Sequence, residues 1–122
     1  EPLQGKYKSI VRAACYAAQE GVRPMVVFTW SGNAAILASR SRPPKPIFAI
    51  TPSATVVDKL RMAWGGYAIK IPHLRSTDEL IIATEKALVE KGYLKKGDEF
   101  VILGGTAPIK GASNLMKIEV IS

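Results

Sequence analysis

The sequence predicts an α/β domain of three layers, with helices on both faces of a mostly parallel five-stranded sheet and an antiparallel edge strand. Three observations predict it. Met25 to Thr29 is a short, continuous, β-branched and aromatic run, the mark of a strand covered on both faces; Pro46 to Thr51 and Glu99 to Leu103 read as buried strands too, and Tyr67 to Ile71 as a further strand. Stretches of helical periodicity lie between them, and strand–helix–strand succession demands right-handed crossovers and parallel neighbours. The last run, Met116 to Val120, alternates instead: Met116, Ile118 and Val120 stand against Lys117 and Glu119, so one face is expected to be wet. Its connection, from Gly104 to Asn114, is rich in glycine and holds no helix pattern, which places this strand at an antiparallel edge.

Taken in order, Tyr7, Ile10, Val11, Ala14, Ala17 and Ala18 recur at three- and four-residue spacing and predict a helix from Lys6 to Glu20, with Gly21 as its stop. A second, short helix runs from Asn33 to Ser41 and ends at Arg42-Pro43-Pro44. Ser53 caps a third, whose inner face is Val56, Val57, Leu60 and Ala63 and whose end is Gly65-Gly66. Ser76 and Glu79 have capping-box spacing ahead of Leu80, Ile81, Ala87 and Leu88, and Gly92 closes this fourth helix.

The chain has 122 residues, one domain's worth, and residues 1–122 are read as a single unit. With 48% apolar and 22% charged residues it should fold, and no apolar run approaches the roughly 20 residues a bilayer span requires. A net charge of +7 would permit nucleic-acid binding, but the cations are scattered, and Lys95-Lys96 lies among Glu90, Asp98 and Glu99. That is a solvated mixed surface, so neither nucleic acid nor membrane is expected as a partner. The lone Cys15 sits in an Ala-rich helical pattern and reads as a buried thiol in a reducing compartment, so a cytoplasmic location is expected. His73 is the only histidine, which argues against zinc, and neither a nucleophile elbow nor a phosphate loop of the Gly-Lys-Ser/Thr type occurs. No catalytic constellation and no metal site are expected. The chain begins at Glu1 without Met, which leaves open an excised domain or a free-standing protein.

Parallel sheets bind ligands beyond the carboxyl ends of their strands, where strand order reverses. Three loops end there: Trp30-Ser31-Gly32-Asn33, Pro52-Ser53 and the segment from Gly104 to Asn114. In the first, amides from Ser31 to Ala35, hydroxyls of Thr29 and Ser31 and a close approach at Gly32 suit a phosphate; equally, these residues make an ordinary helix start with a glycine turn. Lys110 either closes over that phosphate or is a solvated loop lysine. Trp30 stacks on a ligand ring, meets a partner subunit or packs on its own domain.

Beyond these residue-level readings, the ordered wording resembles the C-terminal domain of pyruvate kinase over nearly the whole chain. Val26-Val27-Phe28-Thr29-Trp30-Ser31-Gly32 is similar to that family's strand and Thr-x-Ser-Gly effector loop, and Arg42-Pro43-Pro44-Lys45-Pro46-Ile47-Phe48-Ala49-Ile50-Thr51-Pro52 to its Arg-Pro-x-x-Pro-Ile-x-Ala-x-Thr segment. Trp64-Gly65-Gly66-Tyr67, Lys95-Lys96-Gly97-Asp98, Gly105-Thr106 and Ser113-Asn114-Leu115-Met116-Lys117 complete the pattern. The resemblance implies an allosteric and oligomerisation domain. Its parent would make pyruvate and ATP from phosphoenolpyruvate and ADP on a catalytic barrel, with magnesium and potassium; that barrel takes about 250 residues and does not fit here. No cofactor is expected in this domain, and the chain alone should transfer no phosphoryl group. A phosphorylated effector is implied between Thr29, Trp30, Ser31, Gly32 and Asn33 and an effector loop carrying Gly105, Thr106, Lys110 and Gly111, with a tetramer as the parent's assembly. Four positions depart from the family: Trp30 replaces a common basic residue, Ala34 a hydroxyl, and Thr106-Ala107 the Trp-Arg of relatives that respond to fructose bisphosphate. A monophosphate is therefore expected, with a nucleoside monophosphate first because Trp30 offers a base a stacking face. The alternatives are a free-standing phosphometabolite-binding protein of this fold and a purely structural oligomerisation module.

Overall fold

The computed structural model describes residues 4–29, 32–40, 42, 44–63, 67–72, 76–104 and 115–122. Nine elements follow one another in the expected order: α1 (Gln4–Gly21), β1 (Met25–Phe28), α2 (Asn33–Ser39), β2 (Ile47–Thr51), α3 (Ala54–Ala63), β3 (Tyr67–Lys70), α4 (Thr77–Glu90), β4 (Glu99–Gly104) and β5 (Leu115–Val120). The sheet has the order β3-β2-β1-β4-β5, parallel except for the β4–β5 pair. The three-layer α/β expectation holds.

Burial on both faces explains the uniform strands. Met25, Val27, Ala49, Val101 and Leu103 point to the side covered by α1, α2 and α3, where they meet Val11, Ala14, Ala35 and Leu60. Val26, Phe48, Ile50, Phe100 and Ile102 point the other way, under Ile81 and Leu88 of α4. Both predicted caps form: Ser53 Oγ accepts from the Val56 amide at 3.2 Å, and Ser76 Oγ from the Glu79 amide at 3.2 Å. Cys15 is buried, as expected, and lies 3.8 Å from the Ala38 carbonyl oxygen. The predicted stop at Gly65-Gly66 lies outside the described residues.

Two expectations need correction. Gly21 does not take the left-handed turn that ends α1; Val22 does, at φ 51°. The amides of Arg23 and Val22 close onto the carbonyls of Ala18 and Gln19, which is the Schellman arrangement with valine at the position glycine prefers. A Cβ at Gly21 would meet the Arg23 guanidinium, the far end of a flexible side chain, which would have to move aside. That guanidinium donates to the Ala17 carbonyl at 3.0 Å and to Glu99 Oε1 at 2.8 Å, tying the end of α1 to the start of β4. A β-branched residue in this region costs about 1–2 kcal/mol, and Val22 is 55% exposed, so little burial offsets it. Val22→Gly should therefore raise stability by about 0.5–1 kcal/mol after glycine's own entropy cost, read as a rise of about 2–4 °C in thermal unfolding. A fall would show that the turn is not strained.

The second correction concerns β5. Its alternation is real, but the apolar row is not the covered one: Met116, Ile118 and Val120 are 36%, 44% and 49% exposed. Met116 and Ile118 pair with Leu103 and Val101 and so share the α1 side of the sheet. Although α1 packs against β4 and β5, it leaves this outermost row open.

Candidate functional site

Chain order sets where a ligand crevice can form. β1 is followed by β2 and then β3 in one direction, after which β4 is laid on the other side of β1, so strand order reverses between β1 and β4. In a parallel sheet the crevice lies at the carboxyl ends flanking that reversal. Those ends are Phe28-Thr29, running toward α2, and Gly104.

Thr29 continues the ladder for one residue past β1, its amide donating to the Ile50 carbonyl at 2.9 Å. Its side chain is 8% exposed, and Oγ1 accepts from the Gly32 amide at 2.8 Å, closing a tight turn. Gly32 is the N-cap of α2, with φ 93° and ψ −11°, and its carbonyl accepts from the Ile36 amide at 3.1 Å. It is also pressed on α3: a Cβ would stand 3.1 Å from Leu60 Cδ2 and 3.5 Å from Val56 Cγ1. The Gly32 amide thus turns inward to Thr29. A hydroxyl that accepts a hydrogen bond still carries a hydrogen that can donate, so the Thr29 oxygen can serve in both roles.

The neighbouring strand repeats the device. Thr51 is fully buried, its Oγ1 accepts from the Ser53 amide at 3.2 Å, and its carbonyl accepts from the Ile71 amide at 3.0 Å. Thr51 was not singled out from sequence, although its place at a strand end beside a helix cap matches that of Thr29. Phe28 and Gly104 entered the sequence reading only as members of longer segments, with no contact between them foreseen. The register that pairs Val27 with Leu103 brings them side by side, and a Cβ on Gly104 would lie 2.8 Å from Phe28 Cδ2 and 3.0 Å from Phe28 Cβ.

Of the sequence-predicted site residues, Thr29, Gly32 and the backbone of Asn33 are brought together at the reversal point. Trp30, Ser31, the Asn33 side chain, Gly105, Thr106, Lys110 and Gly111 lie outside what the structure describes. Among the described residues, no three His, Cys, Asp or Glu side chains gather as metal ligands, and no helix is long and apolar enough to cross a membrane. A cavity of about 410 Å³ opens at the opposite end of the sheet, lined among others by Arg23, Lys45, Phe48, Tyr93 and Glu99. Its guanidinium and carboxylate are already paired with each other at 2.8 Å, leaving no convergent unpaired charge there from these two.

The family model of the pyruvate kinase α/β domain matches residues 8–119. The chain belongs to the pyruvate kinase family. It is 37% identical over 98 residues to the pyruvate kinase of Clostridium acetobutylicum, covering 80% of this chain and 21% of that protein. The pyruvate kinase of Geobacillus stearothermophilus is 38% identical over 103 residues, which is 83% of this chain and 17% of the relative. The fold matches the crystal structure of a pyruvate kinase from Cryptosporidium parvum with a TM-score of 0.83 and 24% identity, over 95% of this chain and 23% of that one. This pyruvate kinase domain therefore spans about one fifth of the length of the curated relatives.

Proposed function

We propose that this chain is the allosteric and oligomerisation domain of a pyruvate kinase and binds a phosphorylated effector, by preference one with a single phosphate. The observation that carries the reading is the Thr29–Gly32 turn at the point where strand order reverses, in a chain of this family. α2 has only seven residues, so its dipole is a minor contribution. Hydrogen bonds from the hydroxyls of Thr29 and Ser31 and from loop amides to phosphate oxygens carry the binding, at about 1.5–3 kcal/mol for each charged acceptor. A second phosphate lacks its partners, because Thr106 and Ala107 stand where bisphosphate-responsive relatives are expected to have Trp and Arg. Conversion of phosphoenolpyruvate and ADP to pyruvate and ATP, with magnesium and potassium, is the work of the catalytic barrel of the parent, outside this chain.

Calorimetry with adenosine monophosphate, a hexose monophosphate, phosphoglycerate and fructose 1,6-bisphosphate tests this. One monophosphate should bind saturably, and Ser31→Asp, which sets a carboxylate against the phosphate, should weaken it at least about tenfold. Tighter binding of the bisphosphate than of every monophosphate, or full affinity in Ser31→Asp, would overturn the pocket assignment.

For assembly, the support is β5. Among the described residues it is an edge strand with no partner on its outer side, and it has an exposed row of Met116, Ile118 and Val120, which a second copy of the strand completes about a two-fold axis. The charged row does not oppose this. Lys117 Nζ is 2.9 Å from Glu119 Oε1, and the hydrogen bond and charge of Glu119, with Asp78 beyond, hold its pKa above the ordinary lysine value. On the lysine side, the pair is formed at neutral pH and is lost as pH rises through that raised value. Sedimentation should show reversible self-association, weakened at least about tenfold by Ile118→Lys, which puts a charge in the apolar row. A monomer at high concentration would count against it.

A further inference from the structure

Phe28 is the last residue of β1 and Gly104 the last of β4, the two strands that flank the reversal point. Gly104 has no positive φ among the glycines that do, so its backbone is one that any residue adopts. What it supplies is space. Phe28 lies in the cluster beneath α4, with its ring and Cβ over Gly104, closer than a side chain at that position would permit. Because the Phe28 Cβ itself stands 3.0 Å from where a Gly104 Cβ would be, swinging the ring away does not relieve the contact; β1 must shift at its end. The next residue along is Thr29, whose oxygen holds the Gly32 amide.

We propose that Phe28, seated on Gly104, is a positioning residue for the effector turn: it fixes the end of β1 against β4 and so sets where the Thr29 hydroxyl and the Gly32 amide stand. The role rests on the effector reading as to purpose but is measurable without any ligand. β1 and β4 flank the reversal point, so a shift at this contact moves the carboxyl end of one strand relative to the other. A purely space-filling contact would alter stability and nothing else.

Hydrogen exchange of the labelled chain is the deciding experiment. Gly104→Ala should speed exchange of the Gly32 amide at least about tenfold relative to the cap amide of Glu79, which lies at the start of α4 and serves as the internal reference. Phe28→Leu, which vacates the seat instead of crowding it, keeps the test open if Gly104→Ala fails to fold; it should speed the same amide. The double variant should fall short of the sum of the two, because both act through one contact. In calorimetry, the monophosphate that binds the unaltered chain should lose at least about fivefold in affinity in each single variant. Unchanged Gly32 exchange in folded variants would overturn the positioning role, whatever binds. If no phosphorylated metabolite binds the unaltered chain while Gly32 exchange still responds, the effector reading fails and the positioning of the turn by Phe28 stands.

Discussion

Phe100→Ala should cost this domain about 3–5 kcal/mol, the range for emptying a buried aromatic site. The residue is 0% exposed and sits in β4, with β1 on one side and β5 on the other. It belongs to the cluster that also holds Val26, Phe48, Leu88 and Ile121, on the face where, among the described residues, the buried helical side chains come from α4. The helix over this face starts at the Ser76 cap, and Glu85 Oε1 on it accepts from the Ser122 amide at 3.3 Å, so part of the lost ring's volume is expected to remain as a cavity. Against the 5–15 kcal/mol typical of a whole domain, this loss leaves the isolated chain marginal. With a urea dependence of about 1–3 kcal/mol per molar, the unfolding midpoint should fall by roughly 2 M. Phe100→Leu, which keeps most of the volume, should cost under about 1.5 kcal/mol. A loss below 1 kcal/mol in the alanine variant would mean that α4 does not depend on this ring, contrary to the packing described.

What could be read from sequence divides by the range of the forces involved. The Ser76 cap was legible because it is local: one hydroxyl, one amide three residues on, and a φ of −138° that serine adopts freely. The central strands were legible because burial on both faces leaves no charged position, as in the wholly buried β1 and β2. Val22 was not legible. A local rule assigns the left-handed turn to Gly21, but the helix runs one residue further and the turn falls on Val22, a one-residue shift that no local signal marks. The apolar row of β5 was visible as alternation, but which face a helix covers depends on how far α1 reaches, and no spacing in the strand encodes that. The site shows the same division. Thr29 and Gly32 stood out as loop chemistry, while the contact of Phe28 with Gly104 exists only through the register between β1 and β4.

Gly32→Ala should cost about 2–3 kcal/mol, and its two causes can be separated. The first is conformational. At φ 93° an alanine pays about 1–2 kcal/mol that glycine does not, partly offset by about 0.4–1 kcal/mol from a less flexible unfolded chain. The second is steric, because the new Cβ meets Leu60 Cδ2 at 3.1 Å, and Leu60 is itself 0% exposed and cannot retreat freely. Crowding of this kind adds about 1–3 kcal/mol. Val22→Gly is the mirror case, since there the left-handed residue has a side chain that solvent surrounds; relief has only the conformational part, and the sign is reversed. Leu60→Val tests the division. Shortening Leu60 gives the alanine Cβ room, so Gly32→Ala measured in that background should lose its steric share and keep its conformational one, and the two substitutions should be non-additive by about 1 kcal/mol. Strict additivity in urea unfolding would mean that α3 does not press on the turn. Relaxation of Gly32 also loosens its amide from the Thr29 oxygen, so monophosphate binding should weaken in Gly32→Ala and recover in part when Leu60→Val is added. Stability and affinity restored together would tie the turn's geometry to the packing of α3 beneath it.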